Sequence, residues 1–151
     1  MLPPGLPWVL FVGFFSRDKA PDVLFDAWLE VLRARPRSCA LLMIGATESR
    51  YYEVDRAMAE DLRRRAETGG VADLICLPGE MRDVERAFQA ADVFVMPSVR
   101  EAFGMALIEA MASGVPSIAS RLHAVTDAIV GEDGGMLVPP RDTAALAAAM
   151  V

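Results

Sequence analysis

The sequence predicts an α/β domain built on a Rossmann-like, doubly wound parallel sheet with helices on both faces. Short apolar runs alternate with longer amphipathic segments along the whole chain. The runs are continuous rather than alternating, which suits strands covered on both faces. Helix-forming segments separate them, so successive strands are joined by crossovers, and such crossovers are right-handed.

The elements follow in order. Trp8–Val12 reads as the first strand and Asp22–Arg35 as the first helix. Ala40–Ile44 is the second strand. Val54–Thr68 is a helix because Val54, Met58 and Leu62 fall four apart on one face, with Arg and Glu elsewhere. Gly69 and Gly70 close it by supplying a left-handed cap residue. Leu74–Leu77, Val93–Met96, Ser117–Ala119 and Met136–Val138 complete the strands. Asp83–Ala91, Met105–Ser113, Val125–Val130 and Thr143–Met150 complete the helices. Without repeats, low-complexity tracts or an internal linker, residues 1–151 read as one domain, long enough to bury a core.

Composition narrows the function. A hydrophobic fraction of 54% with 24% charged residues describes a soluble globular chain rather than a disordered one. A formal net charge of -6 argues against a nucleic-acid partner, since no basic face is available to displace counterions. Arg63, Arg64 and Arg65 sit among Glu60, Asp61 and Glu67 and read as a solvated helix face. Cys39 and Cys76 lie in apolar runs and read as buried free thiols. His123 is the only histidine and no CxxC pair occurs, so neither a metal site nor a Ser-His-Asp triad is expected. Pro7–Phe15 is apolar but too short to span a membrane, and no basic segment precedes it. A cytoplasmic location is expected.

Sheets of this kind bind ligands beyond the carboxyl ends of the strands, where strand order reverses. Arg17, Lys19, Arg100 and Arg121 follow strands one, four and five there, and would focus positive potential suited to an anion. Lys19 is the only lysine among 15 basic residues, and its compact charge suits a diphosphate. Glu101, Ala102, Phe103, Gly104 and Met105 run into a helix whose start presents free amides and partial positive charge. Gly104 has no Cβ to block a ligand. Neither GxGxxG nor a P-loop is present. Glu109 lies in a helix apolar on nearly every side, and burying a bare carboxylate is costly, so it should face a cavity or a polar ligand. It stands five residues into that helix, roughly 7–8 Å from its start. A solvent-facing Glu109 and a capping Glu101 remain the competing reading.

The segment Glu101–Pro116, with Glu101 and Glu109 spaced as E-x7-E, resembles the signature of the family-4, group 1 retaining glycosyltransferases. Asp92–Ser98 before it and Gly135–Pro140 near the end are similar to that family as well. The resemblance implies the C-terminal, donor-binding half of a GT-B fold, with the N-terminal acceptor domain outside this chain. It implies that Glu109 binds the ribose, that the amides of Phe103–Met105 with Ala102 hold the diphosphate, and that Lys19 adds charge. Glu101 would orient the sugar, and the base would rest near Gly79, Met81 and Arg82. The donor is a nucleotide-sugar substrate, and no cofactor or metal is implied. Any peripheral membrane contact falls to the N-terminal domain.

Phe14 stands where the family usually has an arginine, and Arg17 from the same loop is the expected substitute. Without the acceptor domain this half-site is expected to bind donor weakly and transfer little. Two other readings stay open. One is a nucleotide-binding regulatory module without turnover, which Phe14 favours; the other is an epimerase or phosphorolytic enzyme on the same fold. A receiver-type signalling domain is disfavoured because Asp92 precedes its strand rather than ending it.

Overall fold

The structure, a computed structural model, describes residues 2–47, 54–132 and 134–151. Side chains of a strand alternate between the two faces of its sheet, and here both sets are apolar. Val9 and Phe11 of β1 (Trp8–Val12), Leu41 and Met43 of β2 (Ala40–Ile44) and Val95 of β4 (Val93–Met96) enter one core. Leu10, Leu42, Ile44, Phe94 and Met96 enter the other. With β3 (Ile75–Gly79), β5 (Ser117–Ser120) and β6 (Met136–Val138) they form a six-stranded sheet in the order β3-β2-β1-β4-β5-β6. Every pairing is parallel. Strand order therefore reverses between β1 and β4.

Helices cover both faces. Residues of α1 (Pro21–Ala34), α2 (Arg56–Thr68) and α6 (Thr143–Ala149) pack into the first core. Those of α3 (Val84–Ala90), α4 (Met105–Ala112) and α5 (Thr126–Val130) meet the second. Trp28 of α1 is fully buried, its ring 5.6 Å from that of Phe25. Aromatic packing recurs across the sheet, where Phe88 of α3 meets Phe94 edge-on at 5.6 Å.

The six strands and six helices lie where the sequence places them, with ends shifted by one or two residues. Val54 falls outside α2, because Asp55 caps it by accepting the Ala57 amide at 3.1 Å. Leu74 belongs to a 3₁₀ turn, and β3 begins after it. Burial on both faces fails at that edge strand, which is only half-covered. Its register against β2 shifts between Leu42 and Ile44, across the bulge that holds Pro78. Cys39 is buried, which pushes its thiol pKa up, whereas Cys76 in β3 is half-buried. Arg65 is not a solvated residue of α2. Its guanidinium lies 4.8 Å over the Phe25 ring and bonds Asp26, clamping α2 to α1. Asp92 is occupied structurally, since its carboxylate accepts the Trp8 amide at 2.7 Å.

Three loops at the carboxyl edge are stitched by their backbones. Gly13 donates to the Ile44 carbonyl at 2.9 Å, Phe15 to Ala46 at 3.3 Å and Gly45 to Gly79 at 3.0 Å. The approach is so close that a Cβ on Gly45, which has φ 152°, would stand 1.8 Å from the Gly13 carbonyl oxygen. Gly45→Ala is expected to lower stability by roughly 3 kcal/mol, read as a lower urea midpoint at unchanged slope. An unaltered midpoint would show that the two loops can separate freely.

Candidate functional site

The switch point determines where the site falls. Loops after β1 and β4 diverge there, and a cavity of about 780 Å³ opens between them. Its walls come from four loops: Gly13 and Phe14 after β1, Gly45 and Ala46 after β2, Glu80–Arg82 after β3, and Ser98 with Glu101–Gly104 after β4. The start of α4 and Glu109 complete it.

Lys19 reaches this cleft through a tight turn. Ala20 donates to the Ser16 carbonyl at 2.9 Å and adopts φ 49°, a left-handed conformation rare for alanine, and Pro21 then starts α1. Across the cleft the Asp18 carbonyl accepts the amides of Val99 and Arg100 at 2.8 and 3.3 Å, tying the two diverging loops together. The Lys19 ammonium lands 2.6 Å from Glu101, whose side chain is only 10% exposed. The buried Ser98 hydroxyl donates to the same carboxylate oxygen at 3.4 Å.

Gly104 caps α4 at φ 78°, and a Cβ there would meet Ile129 at 2.9 Å. Its carbonyl takes up the amides of Leu107 and Ile108. The amides of Met105 and Ala106 therefore have no backbone acceptor among the described residues. This helix is not buried all round. Leu107 and Ala110 face the core, while Glu109 is exposed and lines the cleft. Met105, expected to be covered within that helix, is 54% exposed at the cleft, beside Phe103 at 63% and Met81 at 41%.

The residues expected to serve one ligand separate into two groups. Lys19, Met81, Arg82, Glu101, Ala102, Phe103, Gly104, Met105 and Glu109 line the cleft. Arg17, the expected substitute for the family's arginine, is exposed and is not among the residues that line the cleft. Gly79 lies beneath the lining, its carbonyl occupied by Gly45. Arg100 faces Asp18 at 3.6 Å and Arg121 pairs with Asp127 at 3.1 Å, both away from the cleft. Asp127 also meets His123 Nδ1 at 3.0 Å. The cleft is thus not rich in positive charge. Among the described residues that line it are Lys19 and Arg82 against Glu80, Glu101 and Glu109. Glu80 falls in the Gly79–Arg82 stretch expected to meet the base, whereas Ser98 and the Gly45–Ala46 floor had no assigned role. Only the run of small residues that follows β2 hinted at the floor.

A doubly wound parallel sheet with a cleft at its switch point defines a Rossmann-like ligand-binding domain. The chain belongs to the group 1 glycosyltransferases, whose family model, "Glycosyl transferases group 1", matches residues 6–151. It is similar to the D-inositol 3-phosphate glycosyltransferase of Nocardia farcinica, with 35% identity over 145 residues, 95% of this chain and 32% of that protein. It also resembles the C-terminal domain of a group 1 glycosyltransferase from Francisella tularensis, at TM-score 0.83 and 24% identity, over 99% of this chain and 75% of that one. HepE of Anabaena, solved with UDP-glucose, shares the fold at TM-score 0.80 and 22% identity, over 95% of this chain and 38% of that one. The chain spans about a third of the length of the curated relatives it matches. No described helix is long and apolar enough to cross a membrane.

The Lys19–Glu101 pair supplies a stability test. Lys19→Met leaves a largely covered carboxylate without its cation and is expected to cost about 1–3 kcal/mol. Adding Glu101→Gln should recover most of that loss in a double-mutant cycle. Strictly additive losses would mean that the two groups do not interact in solution.

Proposed function

We propose that this chain is the nucleotide-sugar-binding domain of a retaining, family-4 glycosyltransferase of the cytoplasm. In this reading an N-terminal domain holds the acceptor, and transfer needs no metal in the site. The observation that carries it is that Glu101, Lys19, the free amides opening α4 and Glu109 all line one cleft. Each component suits a different part of the donor.

Exposed and without a side-chain partner among the described residues, Glu109 is available to accept both ribose hydroxyls. The diphosphate sits at the start of α4, where oriented amides and the helix dipole replace the missing surplus of cations. Lys19 adds a point charge there. Because Lys19 is already held by Glu101, an incoming diphosphate competes for the ammonium and frees the carboxylate to accept sugar hydroxyls. Ligand binding and the arming of Glu101 are then one event. The base extends toward Glu80–Arg82. HepE was solved with UDP-glucose, and group 1 membership supports a donor of the same general kind.

Apolar Phe103, Met105 and Met81 beside the cleft suit contact with the acceptor domain, which would close over the donor and exclude water. Phe14 lining the cleft favours a second reading, a nucleotide-binding module without turnover. Nucleotide release by the full-length protein on adding acceptor separates the two readings.

Titration calorimetry of the chain with UDP, GDP and ADP tests the donor site. One diphosphate should bind, and Glu109→Ala should weaken it by about 2 kcal/mol, roughly 30-fold. Lys19→Ala should also weaken binding, while Arg17→Ala should leave it unchanged. A folded protein that binds none of the three, or a Glu109→Ala variant with full affinity, would overturn the assignment.

A further inference from the structure

The cleft does not end at Glu109. It continues into a second lobe of about 400 Å³, and Val12, Arg82, Val84 and Glu109 line both spaces. If Glu109 holds the ribose, as proposed above, the group on the far side of the sugar from the diphosphate enters this lobe. That group is the base, and the lobe's chemistry indicates which one.

Val12, Val84 and Phe88 give the lobe apolar walls suited to the faces of a flat ring. Two further charged side chains stand at its edge, Arg82 and Glu85, neither with a hydrogen bond or ion pair among the described residues. The Ser113 hydroxyl, also in the lining, already donates to the Glu109 carbonyl at 2.8 Å. Base-edge recognition therefore falls to a five-donor guanidinium and an acceptor-only carboxylate.

The four common bases differ in how they satisfy such a pair. Guanine offers an acceptor pair, O6 and N7, which suits arginine, and a donor pair, N1–H and the N2 amino group, which suits a carboxylate. Uracil sets one N–H between two carbonyls, so a carboxylate that reaches it also meets oxygen lone pairs. Adenine and cytosine place their amino group beside a ring acceptor. Only guanine presents two adjacent donors to Glu85 while leaving an acceptor edge for Arg82. We propose that the donor carries guanine, with Glu85 and Arg82 as the residues that select it.

The test is calorimetric titration of the chain with GDP, IDP, UDP and ADP, where IDP is GDP without the N2 amino group. The expected result is GDP at least ~10-fold tighter than the other three, the discrimination of one bidentate pair. In Glu85→Ala the GDP and IDP affinities should converge while UDP affinity is unchanged. Exposure of Glu85 in the first turn of α3 makes this variant safe for folding, which its thermal midpoint checks. Preferential binding of UDP or ADP that Glu109→Ala abolishes would overturn the guanine inference and leave the donor site standing. A GDP preference that survives Glu85→Ala would also overturn it, and no diphosphate binding at all would overturn both.

Discussion

Two loops that diverge at the switch point are kept in register by one carbonyl. Asp18 accepts the amides of Val99 and Arg100, so the segment after β1 cannot move without the segment after β4. Because β1 and β4 are paired neighbours, the sheet already fixes where these loops begin. The carbonyl fixes where they next meet. Lys19 follows that junction by one residue and Glu101 by one to two, so main-chain geometry brings them to their contact at 2.6 Å. A ligand entering the cleft therefore meets an organised pair, and the energy of reorganisation is confined to two side chains.

Much of this was legible in the sequence, for identifiable reasons. Continuous apolar runs announced a two-faced sheet, and the E-x7-E spacing marked Glu101 and Glu109, which the fold brings to one cleft. Reading failed where tertiary placement overrides local pattern. The segment after Gly104 looks buried because nearly every residue is apolar, yet Met105 lies largely exposed beside the cleft. Arg65 looks solvated within a charged run, yet it caps an aromatic ring of a helix that sequence cannot place beside it. Arg17 and Lys19 differ by two positions, yet Lys19 lines the cleft and Arg17 does not. No composition rule encodes that choice. Its outcome removes the simple electrostatic picture of a basic crevice, since Lys19 and Arg82 line the cleft together with Glu80, Glu101 and Glu109.

The exposed apolar residues beside the cleft acquire meaning from length. The chain corresponds to about a third of its curated relatives, and Phe103, Met105 and Met81 stand on the side where a ligand enters. Exposed apolar side chains of this size gathered beside one cleft form a patch of the kind that marks an interaction site. If a second domain covers these residues, it shuts water out of the cleft in the same motion.

The irregular edge at β3 has a consequence for handling the isolated domain. An open parallel sheet offers its outermost strand as a template for another chain, and such templates begin many aggregates. Here that strand carries a proline at a register shift, which leaves the neighbouring ladder short and discontinuous. A second molecule attempting to extend the sheet would find too few consecutive amides to grip. The domain is thereby protected from polymerising through the edge farthest from its own β6.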